Sequence, residues 1–283
     1  MFNVITPGAY DPQMSFARPQ PDDAALAYWL RAYGAECDAV AAACSDDGVL
    51  LFPTCADFTH ADLTYLFSVE GRRFWLVRGA DGKEPVFPGD FRPVPVRSFL
   101  GPHATPAGLA AITGLHLASW YETRVFCGRC SARMEHSKSE RALVCPACGT
   151  VEYPKISPAI IVAVTDGDKL LMTRYAAGGY RRRALVAGFV EIGETAEEAV
   201  AREVLEECGL RVKDVRYRAS QPWGLSGSLM LGFSAKLDGS PQIELRDGEL
   251  SWAGWVGRDE IGGPENYELG GTLIEAFREG KLD

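Results

Sequence analysis

Two groups of side chains in this chain have types and spacings that could do chemistry. One is a set of three carboxylates, Glu203, Glu206 and Glu207; the other is four cysteines in two matched pairs, Cys127-x2-Cys130 and Cys145-x2-Cys148. Glu203 and Glu207 are four residues apart, so on a helix they share a face, where like charges repel by about 0.2–0.5 kcal/mol. A hard divalent cation, Mg2+ or Mn2+, would turn that repulsion into a binding site, because such ions prefer carboxylate oxygens and also bridge phosphate oxygens. The helix alone does not decide the matter, since an acidic face is equally at home in solvent. The cysteine pattern is narrower. Four thiolates complete a tetrahedral Zn2+ shell and leave no open position for catalysis, so the pairs predict a structural zinc ribbon. Unligated thiols or two disulfides are the alternatives. A redox Cys-x2-Cys is disfavoured because the pairs are matched and neither lies in a strand–helix context.

The elements that must position these groups can be read around them. Thr195 is a good N-cap and Glu198, three residues on, completes a capping box, which predicts a helix from 196 to about 207 ending at Cys208-Gly209. Upstream, SPAIIVAVTDGDKLLMTRY predicts two strands joined by an Asp166-Gly167 turn, and ALVAGFVE a further short strand leading through GET into the helix. Gly128 and Gly149 fall where tight knuckle turns would need them.

Residues 188–210, GFVEIGETAEEAVAREVLEECGL, fit the pattern G-x5-E-x7-R-E-U-x-E-E-x-G-U at every constrained position: Gly188, Glu194, Arg202, Glu203, Val204, Glu206, Glu207, Gly209 and Leu210. This resembles the Nudix box of hydrolases that cleave nucleoside diphosphates linked to another group. The order of an N-terminal domain, a four-cysteine ribbon, YPKISPAIIVAV, the box and then SQPW is similar to the NADH pyrophosphatase branch of that family. The resemblance implies an α/β architecture of the α+β Nudix type, with an N-terminal α/β domain over 1–122, a zinc ribbon linker over 123–152 and a Nudix α/β/α sandwich over 153–283. It implies metal-dependent hydrolysis of NADH or NAD+ to AMP and nicotinamide mononucleotide, removal of NAD caps from RNA, and a homodimer.

The same resemblance implies a Mg2+ or Mn2+ site at the Ala187 carbonyl, Glu203, Glu207 and Glu249, with Glu206 beside a second ion or a water. Glu207 or Glu249 is the candidate base, and Arg202 and Glu194 form an orienting ion pair. Phe189 and Tyr153 resemble an aromatic clamp, and Arg97, Glu140, Gln221, Trp223 and Ser228 resemble further substrate contacts, with Arg97 a phosphate partner. One stretch departs from the branch. Where its signature reads S-Q-P-W-P-F-P-x-S, residues 220–228 read SQPWGLSGS, so Gly224, Leu225 and Ser226 replace Pro-Phe-Pro. Losing two fixed φ angles and a ring predicts a more flexible loop and weaker discrimination, leaving ADP-ribose, NADPH or another nucleoside diphosphate derivative as an alternative substrate.

Residues 1–122 carry no comparable motif. DDAALAYWLRAYG (22–34) has helical spacing, VLLFP and LTYLFSV are β-like, and SVEGRRFWLVRG predicts a hairpin turning at Glu70-Gly71 with Phe74, Leu76 and Val77 on its second strand. EPVFPGDFRPVPV holds four prolines, which suits a loop or an edge. Leu109, Ile112, Leu115 and Trp120 predict a helix over 106–121, with His116 an ordinary packed or surface residue. The chain has 283 residues, 47% hydrophobic and 24% charged, which excludes disorder and repeat compositions and implies about two domains. Its net charge of −9 argues against DNA or anionic membrane as a partner. The other four of its eight cysteines, Cys37, Cys44, Cys55 and Cys208, are scattered, and neither a leader-like start nor a long apolar run is present, so a reducing cytoplasm is the expected compartment.

Overall fold

The computed structural model describes residues 10–12, 18–30, 38–44, 50–58, 61–78, 89, 91–99, 105–176, 183–246, 248–262 and 268–282. By its contacts the chain divides into two compact units, one of residues 2–155 with 224–226 and the other of 156–223 with 227–283.

The first unit is built on a seven-stranded sheet. Its strands are β1 (Tyr10–Asp11), β2 (Ala24–Trp29), β3 (Ala39–Cys44), β4 (Leu50–Leu51), β5 (Asp62–Val69), β6 (Arg72–Arg78) and β7 (Arg92–Pro95), in the order β1-β5-β6-β2-β3-β4 with β7 on β3. The expected hairpin is present: β5 and β6 pair through Glu70 and Gly71, both at positive φ (52° and 77°) as a two-residue turn of this kind requires. Pro93 and Pro95 lie in β7, which among the described strands pairs with β3 alone; an outermost strand is where residues without an N–H are tolerated. The helical reading of 22–34 is corrected over its described part. Residues 24–29 are a central strand, parallel to β6 and antiparallel to β3, with Ala24 to Tyr28 buried on both faces. A strand covered on both sides has no alternation to betray it, so its apolar run reads equally as a helix. Residues 31–34 of that run, and most of 84–90, lie outside the described residues.

Helix α1 (Pro106–Thr123) packs on this sheet, capped by Thr105, whose Oγ1 accepts from the Gly108 amide. Leu109, Ile112, Leu115 and Trp120 are buried as its spacing predicts. Gly114 is required by close approach, because a Cβ there would lie 2.3 Å from the Tyr28 hydroxyl, which itself donates to the Ala111 carbonyl. His116 is half-buried, with Nε2 2.7 Å from the Lys155 carbonyl. The small strands β8 (Glu135–His136), β9 (Leu143–Val144) and β10 (Val151–Glu152) form the ribbon's own sheet, which Arg141 ties to the larger one through the carbonyls of Leu66 and Pro12.

The second unit is an α/β/α sandwich around a six-stranded sheet. β11 (Ser157–Asp166), β12 (Lys169–Tyr175), β13 (Val186–Phe189), β14 (Val212–Trp223), β15 (Ser228–Leu237) and β16 (Leu250–Gly257) take the order β14-β15-β11-β12-β16, with β13 on β11. Only β11 and β15 run parallel among its described pairs. Helix α2 (Ala196–Cys208) covers one face, where Val200 and Val204 meet Ile160, Val162 and Phe233. Helix α3 (Leu269–Arg278) covers the other, where Leu273 and Phe277 meet Ala163, Leu170 and Met172. The β11–β12 turn sits one residue later than expected, at Gly167 (φ 58°) and Asp168, since Asp166 already pairs with Lys169.

Candidate functional site

The acidic helix forms as its caps dictate. Thr195 Oγ1 accepts from the Glu198 amide at 3.2 Å, Glu198 returns a bond to the Thr195 amide at 2.8 Å, and Gly209 ends the helix at φ 69°. Its apolar flank is anchored in the core, which turns Glu203 and Glu207 inward and leaves Glu206 exposed. Glu207 is only 2% exposed.

Strand β13 brings the backbone up against these acids. Ala187 pairs with Ile161, and at the next residue, Gly188, an added Cβ would lie 2.0 Å from a Glu203 carboxylate oxygen. The glycine is therefore required for the main chain to pass beside that carboxylate. Burial holds the Glu203 carboxyl above its usual range in spite of Arg202, and the charges of Glu206 and Glu249 push the same way. Glu249, just before β16, thus acts electrostatically on Glu203 although it is far from it in sequence.

Arg202 organises the cluster. Its Nε and Nη2 donate to the two Glu194 carboxylate oxygens at 2.8 and 2.9 Å, its Nη2 also reaches the Phe189 carbonyl at 2.9 Å, and its Nη1 bridges Glu203 at 2.8 Å and Glu206 at 3.0 Å. Arg202 and the amide of Glu191 hold the Glu194 carboxyl below its ordinary range. One guanidinium therefore fixes the loop, the end of β13 and two helix carboxylates together. The sequence reading paired Arg202 with Glu194 alone. The i,i+4 spacing to Glu206 was a usable signal for the wider network, whereas nothing in the sequence marks the Phe189 carbonyl. Glu194, Glu203 and Glu206 therefore share one guanidinium, with Glu203 against half-buried Gly188, and their oxygens are of the kind a hard divalent ion prefers.

In the ribbon, Cys127 Sγ lies 3.6 Å from Cys148 Sγ and Cys130 Sγ 3.4 Å from Cys145 Sγ, and all four sulfurs fall within 4.8 Å of one another. A disulfide needs about 2.05 Å, whereas zinc–sulfur bonds of about 2.3 Å place sulfurs roughly 3.8 Å apart at tetrahedral corners. The four-cysteine cluster suits a structural zinc site. The Thr150 hydroxyl, 3.2 Å away, and the Thr150 amide hold the Cys148 thiol down to about 6, whereas in spite of the Ala132 amide the neighbouring sulfurs of Cys145 and Cys148 push Cys130 up to about 12. The knuckles repeat each other: Cys127 receives the Ser131 amide and Cys145 the Gly149 amide, at 2.9 and 3.0 Å. The left-handed residues are Ser131 (φ 62°) and Gly149 (φ 75°), so the expectation for Gly128 is corrected to Ser131, which occupies in the first knuckle the place Gly149 takes in the second.

The remaining candidates are placed as follows. Phe189 and Tyr153 are exposed, at 53% and 56%, and the Tyr153 hydroxyl donates to Glu140 at 3.3 Å. Arg97 is exposed in a short 3-10 helix and makes no hydrogen bond or ion pair among the described residues. Trp223 is half-buried and pairs with buried Ser228 where β14 turns into β15. Gln221 is 2% exposed and its Oε1 accepts the Leu269 amide at 2.8 Å, capping α3. The replaced turn is not loose. Gly224 is buried, and a Cβ there would lie 2.4 Å from the Ile112 carbonyl of α1, so the expectation of a more flexible loop is corrected to a turn held by close backbone contact.

Comparison with known proteins agrees with this geometry. Residues 155–274 match the NUDIX domain and residues 123–153 the NADH pyrophosphatase zinc ribbon domain. Residues 123–274 thus hold a zinc ribbon of the NADH pyrophosphatase type followed by a NUDIX domain. It is similar to the NAD-capped RNA hydrolase NudC of Citrobacter koseri, 44% identical over 148 residues, which are 52% of this chain and 57% of that one. It is likewise similar to the NAD-capped RNA hydrolase NudC of Salmonella heidelberg, 43% identical over 157 residues, 55% and 61% of the two chains. The chain thus spans about three fifths of the length of these curated relatives. A solved NUDIX hydrolase from Nitrosomonas europaea aligns with 54% of this chain and 90% of its own at a TM-score of 0.45 and 24% identity. Among the described residues, no helix is long and apolar enough to cross a membrane.

Proposed function

We propose that this protein hydrolyses the pyrophosphate of NADH and NAD+, releasing AMP and the reduced or oxidised nicotinamide mononucleotide, and removes NAD caps from RNA. The observation that carries this reading is the pairing of a Nudix box, with buried Glu207 and with Glu203 against Gly188, with a four-cysteine ribbon of the NADH pyrophosphatase type, over a stretch of 148–157 residues that is 43–44% identical to NAD-capped RNA hydrolases.

The Ala187 carbonyl, Glu203, Glu207 and Glu249 would hold Mg2+ or Mn2+, with Glu206 at its margin. When bound, such an ion neutralises charge developing on the pyrophosphate and makes water a better nucleophile near neutral pH. Arg202 keeps Glu203 and Glu206 in register with Glu194 and the end of β13. Glu207 or Glu249 takes the proton from the attacking water; the water oxygen bonds to one phosphorus, and the bridging oxygen leaves with the other as a phosphate monoester. Phe189, Tyr153, Trp223 and Ser228 serve recognition, an exposed ring being suited to stack on a base or nicotinamide. Glu140 orients Tyr153, and Arg97, uncommitted among the described residues, offers a phosphate contact. Gln221 contributes through the amide group that its cap on α3 leaves over. The domains act at 1–122, 123–152 and 153–283, in a cytoplasmic homodimer.

The missing Pro-Phe-Pro favours a second reading, in which ADP-ribose or NADPH is turned over as well as NADH. Incubating the purified protein with Mg2+ or Mn2+ and NADH, NAD+, NADPH, ADP-ribose and NAD-capped RNA, and identifying the products, tests both. NADH cleavage at the pyrophosphate is expected. Its absence alongside turnover of ADP-ribose would replace the first reading with the second.

A further inference from the structure

On the sheet face opposite α2, the second unit carries a recess whose chemistry the hydrolytic reading does not use. Phe233 and Ala235 pack in the α2-side core, so Ser234 between them faces the other way. Ser234 is buried, and its Oγ accepts from Arg218 Nε at 2.7 Å. Arg218 is fixed a second time, through Nη2 to the Leu282 carbonyl at 2.5 Å. Arg216, opposite Ser234 across the β14–β15 pair, and Lys236, two residues along β15, line the same recess, with Thr165 and Asp214 at its sides.

Strand β14 is irregular here. Its register slips between Lys213 and Arg216 and again between Tyr217 and Ala219, and Asp214 stands at φ 52°, a conformation a non-glycine residue seldom adopts. Such bulges re-aim side chains, and these bring Arg216 and Arg218 to one depression. Asp214, 3.6 Å from Lys236, is the single carboxylate among the described lining side chains, against the three cations Arg216, Arg218 and Lys236. Among the described residues the Arg216 side chain makes no hydrogen bond or ion pair. The buried Ser234 hydroxyl, having accepted from Arg218, keeps a proton to donate. Thr165 spends its proton on the Ala235 carbonyl, but Arg216, Arg218, Lys236 and the Ser234 hydroxyl are donors or cations, which suits an oxyanion.

We infer that Arg216, Arg218, Lys236 and the Ser234 hydroxyl form a binding site for a single phosphate group, separate from the carboxylate cluster on the α2 face. The phosphate belongs to a free oxyanion or to the exposed end of a phosphate monoester; the shared chemistry is the dianion, and the base plays no part.

Calorimetric titration of the intact protein with inorganic phosphate, AMP, adenosine and sodium chloride at matched ionic strength, without added divalent metal, tests this. Phosphate and AMP should bind saturably with similar affinity and adenosine should not. Arg216→Ala, which removes an exposed side chain without hydrogen-bond partners, should weaken phosphate at least tenfold while leaving the melting temperature unchanged, and Lys236→Ala should do likewise. The proposal is overturned if phosphate shows no saturable binding in the parent, if sodium chloride reproduces the signal, or if both variants bind as the parent does. AMP binding far tighter than phosphate in an Arg216-dependent way would overturn the single-group character of the site.

Discussion

The ribbon and the acidic helix are two ways of holding like-charged ligands close together, and they solve the repulsion differently. The four cysteines receive their compensation from backbone amides and the Thr150 hydroxyl; among the described residues no cationic side chain pairs with them, and their sulfurs already lie within 4.8 Å of one another. The helix acids are balanced instead by Arg202, which draws Glu203 and Glu206 toward itself, and they do not close to a comparable cluster. A set whose ligands are prearranged by main chain suits a metal that stays. A set balanced by a side-chain cation can accept and release charge, which suits the exchange that the proposed hydrolysis requires.

That contrast can be broken most directly at the ribbon. Cys145→Ala should abolish tight zinc in elemental analysis and unfold the knuckles, since metal affinity in such sites is folding free energy of order 10 kcal/mol; a variant that keeps one zinc and the parent's melting temperature would remove the structural role. At the other cluster, Glu207→Gln should leave fold and zinc intact and lower kcat/KM by more than 100-fold, corresponding to about 2.7 kcal/mol of transition-state stabilisation. A value within about twofold of the parent at saturating Mg2+ would contradict its place in the site.

Gly188→Ala sharpens the comparison, because it changes no charge and drives a methyl group into the Glu203 carboxylate. A loss of roughly tenfold or more in kcat/KM with an unchanged ribbon is expected, at about 1.4 kcal/mol per tenfold; parental kinetics would show that Glu203 has room to move. Thr195→Ala should cost about 1 kcal/mol in denaturant unfolding of the second unit through loss of the capping box. The smallest effect is expected from Leu225→Phe. It restores the ring of the family signature without disturbing Gly224, whose contact with Ile112 forbids a proline there, and should raise the kcat/KM ratio of NADH to ADP-ribose by a few fold. An unchanged ratio would remove the loop from the account of specificity.

How much was legible in sequence depended on whether the decisive contact was local. Helix α2 could be read to the residue at its start because Thr195, Glu198 and Gly209 act within a turn of themselves, and the cysteine spacing announced its cluster because each knuckle closes over a few residues. The same locality made the Glu70-Gly71 hairpin readable. Strand β2 was misread because its identity comes from β6 and β3 on either side and not from its own pattern. Ser131 was missed because serine seldom takes the left-handed region, and only symmetry with Gly149 reveals why it does so here. Gly224 was read as freedom where it is confinement, since the Ile112 carbonyl that demands a glycine lies more than a hundred residues away in the chain.

The one parallel pairing in the described part of the second sheet has a consequence for the order in which this unit can be made. β11 finds β13 within a short stretch, but its other edge waits for Ser228–Lys236, and β12 waits for β16 as far as Gly257. During synthesis at roughly 5–20 residues per second, the most apolar strand of the unit therefore emerges seconds before the strand that covers it. Vectorial folding from the amino end cannot complete this unit. The sheet can be completed only after β15 and β16 have left the ribosome, and any pause in translation between β12 and β15 would lengthen the time for which that bare edge is open to the wrong partner.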